Sequence, residues 1–332
     1  MSNKLDLLAH YINSDEPFGP IDAGDIDSTD VDALNLLFER QNMIYEQLRE
    51  RPSIISGRRG SGKTSYLRTV LFDTDKSKNN KLFYDFNIEI RTPNAFTTIS
   101  RLVQGMTENS DMVFTENLAD LWEKVLWTSV FSEIRHQSSI ENLPTTNKYL
   151  EAMGVKDNYD NEMVLKKLAD MFRKVKEINP QDGIYDILEI FNQHDFLKAK
   201  LEVTEYLLSK DKRFVILMDS VEDIQHDIGE IARTLEGLLK FVGSMNKPRD
   251  VVDIRFCIPT ELHPKITEIS SNPNKDFRRE LKIEWTAKEL ILIGAQRLTY
   301  FIQLHHPLLL KKPTKCNKIQ RCDRAFQFGT TK

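Results

Sequence analysis

The chain has 332 residues, of which 40% are hydrophobic and 29% charged, with a net charge of −4. That balance suits a globular protein with a sizeable core and excludes disordered, collagen-like and disulfide-stapled classes. No apolar run approaches the ~18 residues of a membrane helix, and the near-neutral charge gives no global attraction to nucleic acid.

The three cysteines, Cys257, Cys316 and Cys322, are sparse, and the opening MSNKLDLLAHYINSDEPF lacks a basic-then-apolar leader. Both point to the cytoplasm. Charge is unevenly spread. Asp15, Glu16, Asp22, Asp25, Asp27, Asp30 and Asp32 crowd one end, and Lys311, Lys312, Lys315, Lys318, Arg321, Arg324 and Lys332 the other.

In chain order, residues 14–28 are rich in Asp, Gly and Pro and predict a loop. A helix is predicted near 30–50, capped by Ser28 or Thr29, with Val31, Leu34, Leu37, Phe38, Ile44 and Leu48 on one face. Pro52 ends it, and SIIS (53–56) is short and apolar enough for a buried strand. A helix from Lys63 follows, then an alternating strand in KLFYDFNIEI (81–90). Residues 95–210 read as almost wholly helical, with apolar faces such as Leu118, Leu121, Trp122 and Val125 at spacings of three and four.

Strands return at RFVILMD (213–219), VVDIRFCIP (251–259) and LKIEW (281–285), with helices near 222–244, 260–271 and 287–304. Strands alternating with helices predict an α/β fold on a five-stranded parallel sheet. The expected organisation is an acidic loop and helix over 1–50, a core over 51–94 and 211–286, a large all-helical insertion over 95–210, and a short lid helix with a basic tail over 287–332.

Between the first strand and its helix lies SIISGRRGSGKTSYL, which satisfies G-x-x-x-x-G-K-[ST] from Gly57 to Thr64. A triphosphate is a dense anion best held by converging backbone amides, and glycine admits both the close approach and the dihedrals such a loop needs. Gly57, Arg58, Arg59, Gly60, Ser61, Gly62, Lys63, Thr64 and Ser65 are therefore the candidate nucleotide-binding residues, with Lys63 reaching the β- and γ-phosphates and the Thr64 hydroxyl ligating Mg²⁺. Magnesium also needs a carboxylate at a neighbouring strand end. Asp219, after five apolar residues in RFVILMDSVED, is the candidate; as a bare helix cap it would be merely structural.

Glu222 is the first choice to polarise the attacking water, with Asp223 beside it, although both also suit a helix dipole. Thr260, beside Glu261 at the tip of IRFCIPTE, could sense a γ-phosphate or simply begin a helix. Arg278 and Arg279 in DFRRELKIEW suit arginine fingers toward a neighbouring subunit or plain surface charge.

Together, GRRGSGKTS, FVILMDSVED, the polar tip after IRFCIP and FRREL before IEWTAKELILIGAQRL resemble the AAA+/STAND (ASCE-type) branch of P-loop ATPases, with a bacterial cast. The resemblance covers about 50–75, 81–96 and 212–304. It implies a Mg²⁺-dependent ATPase with strand order 5-1-4-3-2, a helical lid and nucleotide-gated self-association or an effector partner, some relatives serving signalling or anti-phage defence. The lid is shorter than the family's, and the insertion matches no pattern of it.

Three rivals differ in their requirements. A GTPase would show D-x-x-G after the magnesium strand, where DSVED has no glycine. A P-loop kinase would use the same loop with an acceptor. An ATP-gated DNA- or partner-binding subunit would use the basic tail on phosphate backbones, although no base-reading motif is present. His305, His306, Cys316 and Cys322 lie together, but their spacing is not that of a zinc knuckle.

Overall fold

The computed structural model describes residues 7–20, 25–27, 30–38, 47–72, 84–103, 111–137, 143–178, 183–219, 228–270, 272–276 and 280–310. The chain forms two compact units, one of residues 38–284 and one of residues 1–37 with 285–332.

In the larger unit, β1 (Ile54–Gly57), β2 (Phe86–Ile90), β3 (Phe214–Met218), β4 (Val252–Pro259) and β5 (Glu280–Ile283) form one all-parallel sheet. The row runs β2-β3-β4-β1-β5 and, counted from the opposite edge, reads 5-1-4-3-2. β1, β3 and β4 are buried along their whole length, which fits strands covered on both faces.

The helices in chain order are α1 (Lys63–Leu67), α2 (Thr69–Phe72), α3 (Thr92–Val103), α4 (Asp111–Gln137), α5 (Pro144–Ala152), α6 (Asn161–Ile178), α7 (Gly183–Gln193), α8 (Phe196–Ser209), α9 (Ile228–Ser244), α10 (His263–Ile269) and α11 (Pro273–Asp276). The helices of 95–210 join the sheet in one core: Ile54, Ile88, Ile216, Ile254 and Phe256 from the strands meet Phe96, Leu118, Trp122 and Phe131 from α3 and α4. Helix α9 lies tightly on α4. A Cβ at Gly237 would stand 2.5 Å from the Leu118 Cβ, and Trp122 donates its indole N–H to the Thr234 carbonyl at 3.0 Å. Gly237 thus sets the closeness of that crossing.

The opposite face carries buried charge. Asp253 on β4 is fully buried and accepts from Arg51 Nε at 2.6 Å, the Tyr84 hydroxyl at 2.6 Å and Arg213 Nη2 at 3.1 Å. Arg51, Tyr84 and Arg213 immediately precede β1, β2 and β3, so one carboxylate ties together the N-terminal edge of four strands. Burial, and then the Asp253 charge, push the Tyr84 hydroxyl pKa up. Arg255, also on β4, donates to Thr69 Oγ1 at 3.0 Å and stacks over Tyr84.

In the smaller unit, the 19-residue helix Ala287–His305 opens with a capping box between Thr286 and Glu289, satisfying amides that a helix start leaves over. Arg297 donates to the carbonyls of Phe18 at 3.2 Å and Leu37 at 2.5 Å, and His305 Nε2 lies 2.9 Å from the Ile12 carbonyl oxygen. Of the helix expected over 30–50, Val31–Leu37 is helical, Phe38 is not, residues 39–46 lie outside the described residues, and helical Gln47 leads into a 3₁₀ turn at Leu48–Glu50 that ends at Arg51 in the left-handed region. The strands expected over 81–90 and 281–285 occupy only Phe86–Ile90 and Glu280–Ile283.

Helix α5 has no side-chain cap of its own. Glu202 from α8 supplies one, accepting from Thr145 N at 3.0 Å, Thr146 N at 2.7 Å and Thr146 Oγ1 at 2.7 Å. Burial alone would raise the Glu202 pKa; these hydrogen bonds outweigh it and hold the pKa low. A depressed folded value means that the stabilisation is present above the unfolded pKa of about 4.3 and is lost as pH falls through the folded value. Glu202→Gln should cost about 1 kcal/mol at neutral pH, and urea midpoints of mutant and wild type should converge below about pH 4.

Candidate functional site

Strand β1 ends at Gly57 on the C-terminal edge of the sheet, the edge where open α/β sheets hold ligands. The chain then folds back on itself. Ser61 N donates to the Arg58 carbonyl at 3.0 Å, and a Cβ at Gly57 would collide with Ser61 Oγ. Gly60 and Gly62 adopt φ of 75° and 83°, a region that glycine enters without penalty. An ideal Cβ at either meets nothing within 4 Å, so the backbone dihedrals rather than crowding within the protein call for glycine there. Arg58, Arg59 and Gly60 are exposed, whereas Ser61 and Lys63 are buried. Arg58 and Arg59 therefore point their chains outward from the turn rather than lining it.

Lys63 is 5% exposed and lies across the loop, donating from Nζ to the Arg58 carbonyl at 3.1 Å. The ammonium is thus held at the mouth of the turn by a backbone oxygen. From the first turn of α1, the Thr64 hydroxyl donates to both carboxylate oxygens of Asp219, at 2.9 and 3.3 Å. Asp219 is the first residue past β3. Strand β4 lies between β1 and β3, so this contact spans two strand spacings, about 10 Å. Ser65, half-buried beside Thr64, completes the segment.

Thr260 also comes to the loop. Its amide donates to the Gly57 carbonyl at 2.9 Å, extending the β1–β4 ladder one step past Pro259. Next to it, Glu261 accepts from the Arg59 amide at 3.4 Å, a carboxylate resting on the outside of the turn. The tip of β5 adds Glu284, whose pKa is lowered first by a hydrogen bond from Lys282, then by the charges of Lys282 and Arg58.

Glu222, Asp223, Arg278 and Arg279 lie outside the described residues. So do Cys316 and Cys322, while His305 is committed to the Ile12 carbonyl. Among the described residues no group of three or more His, Cys, Asp or Glu side chains could hold a metal. Among the described residues, the Thr64 hydroxyl and the Asp219 carboxylate form the paired donor set at the loop. It suits Mg²⁺, which is usually bound through one or two protein oxygens with the remainder from phosphate and water, and it does not suit a protein-caged zinc.

One residue at the site was not evident from sequence. Thr92, fully buried at the start of α3, donates from Oγ1 to the Asp219 carbonyl at 2.6 Å. The only local signal is a Thr-Pro pair after a strand, a common helix start. Its partner lies 127 residues away.

No protein-family model, curated protein or solved structure matches the chain.

The glycine dihedrals can be tested on their own. Gly62→Ala meets no clash, so its cost should be conformational only, about 1–2 kcal/mol. Equilibrium urea unfolding should show that loss, with an unchanged m-value.

Proposed function

We propose that the chain is a Mg²⁺-dependent ATPase of the P-loop type, similar to the AAA+/STAND branch, whose nucleotide state switches its conformation or its self-association. One observation carries the reading: a loop-borne threonine hydroxyl rests on a carboxylate from a strand two places away, at 2.9 Å, beside a glycine turn crossed by a buried lysine. A turn of this kind without phosphate chemistry would need neither the bare glycines nor an acid opposite the threonine.

In this reading the turn 57–65 holds the phosphates, with the Lys63 ammonium moving from the Arg58 carbonyl to the β- and γ-phosphate oxygens. Thr64 and Asp219 hold magnesium, directly or through water. When bound, the metal neutralises phosphate charge and orients the γ-phosphate for in-line attack. Glu222, with Asp223 as the alternative, orients the attacking water and takes its proton. Thr260, anchored to Gly57 through its amide, presents its hydroxyl as a γ-phosphate sensor. Arg278 or Arg279 completes the site of a neighbouring copy, so turnover should rise with protein concentration. The preference for ATP over GTP rests on DSVED, which has no glycine where a GTPase would show D-x-x-G. The output, through an associated effector in signalling or anti-phage defence, is the broadest part of the proposal.

Lys63→Ala should lower ATP affinity by at least about tenfold, measured by anisotropy of a fluorescent ATP analogue. Glu222→Gln should bind ATP like the wild type while hydrolysis, followed by phosphate release, falls by about 10²–10⁴-fold. Equal turnover in that variant would remove Glu222 from its role; a phosphorylated acceptor appearing in place of free phosphate would make the protein a kinase.

A further inference from the structure

We infer that Thr92 is a positioning residue for the metal-binding carboxylate, an assignment that rests on the magnesium–nucleotide reading above. The last paired residues of β2 and β3 are Ile90 and Met218. One residue later Asp219 has left the strand, and its main chain would be free to turn about ψ if only the ladder held it. Thr92 Oγ1 reaches across from α3 and donates to the Asp219 carbonyl at 2.6 Å. The hydroxyl thus supplies a side-chain rung just beyond the last backbone one.

The two ends of Asp219 are held by helices that follow different strands, α3 after β2 and α1 after β1. Its carbonyl is drawn toward the β2 side by Thr92, and its carboxylate toward the β1 side by Thr64. Fixing the backbone fixes the Cα–Cβ direction, and with a two-torsion side chain that determines where the carboxylate oxygens stand. Thr92 is 0% exposed, so water cannot replace the lost donor, and a buried acceptor left unpaired would drive the main chain to rearrange. A side chain at Thr92 never meets the metal or the nucleotide. It acts through the residue that does, as the groups behind metal ligands generally do.

The helix that bears Thr92 is itself firmly seated. Phe96 and Ile99 of α3 are buried in the common core, Phe96 packs against Trp122 of α4, and Ser100 Oγ lies 3.3 Å from Thr234 Oγ1 of α9. The hydroxyl that holds Asp219 is therefore carried by a helix packed into the core.

The test uses the full chain, with ADP and Mn²⁺ as probes, free Mn²⁺ being read by electron paramagnetic resonance and ADP affinity in EDTA by calorimetry. Thr92→Val, isosteric but without a donor, should need about 10–100-fold more Mn²⁺ for half-saturation of the ADP-loaded protein. Its metal-free ADP affinity should stay near wild type. Thr92→Ser should restore Mn²⁺ affinity, and Thr92→Ala, which removes the same hydroxyl, should repeat the valine result should that variant not fold. The assignment is overturned if Val and Ala variants bind Mn²⁺ within about twofold of wild type, or if Ser is no better than Val. Wild-type protein that binds no ADP would sink the nucleotide reading and Thr92's role together; equal Mn²⁺ affinities in proteins that do bind ADP overturn Thr92's role alone.

Discussion

The hydrogen bond from Thr64 to Asp219 is the constraint on which the site depends. The residues are 155 apart in the chain and follow strands, β1 and β3, that do not touch. A parallel sheet brings both to the same edge, because every strand ends there and every crossover returns through a helix. The head of α1 must then reach over the tip of β4, where the Thr260 amide and the Gly57 carbonyl close the gap. The reach fails if β1 slips by one residue, since a one-residue slip turns each side chain to the other face.

The opposite edge of the sheet is held by charge. Asp253 is fully buried among Arg51, Arg213 and Tyr84, and these precede three strands in turn. A buried carboxylate is tolerable only with such partners, and stripping one away typically costs about 3–5 kcal/mol. The molecule thus separates two tasks. Strand starts are locked by an ion network, while strand ends carry glycines and half-exposed oxygens suited to a ligand.

The parts legible in the sequence were those governed by local pattern. The apolar run before Asp219 and the spacing from Gly57 to Thr64 are short-range signals, and the structure brings Thr64 and Asp219 into contact. What escaped was long-range. Asp253 and Arg255 alternate with apolar residues in VDIRFC, a pattern that normally marks a wet face, yet both are buried because partners arrive from elsewhere in the chain. Thr92 carries no signal of its partner for the same reason. The stop at Pro52 is a local signal, and the last helical turn does end at Glu50 with Arg51 as a left-handed C-cap; that Arg51 then pairs with the distant Asp253 has no local signal. Residues 95–210 are legible as helical from spacings of three and four, but not the surface they cover: their apolar faces complete the core over one side of the sheet.

The central claim is that this loop and this acid share one magnesium-bound nucleotide. Calorimetric titration of the purified chain with ATP, in parallel with and without Mg²⁺, addresses it most directly. The account predicts saturable binding of one ATP per chain that tightens by at least about tenfold when Mg²⁺ is added. Absence of any binding with Mg²⁺ present, or identical affinity in EDTA, would contradict it.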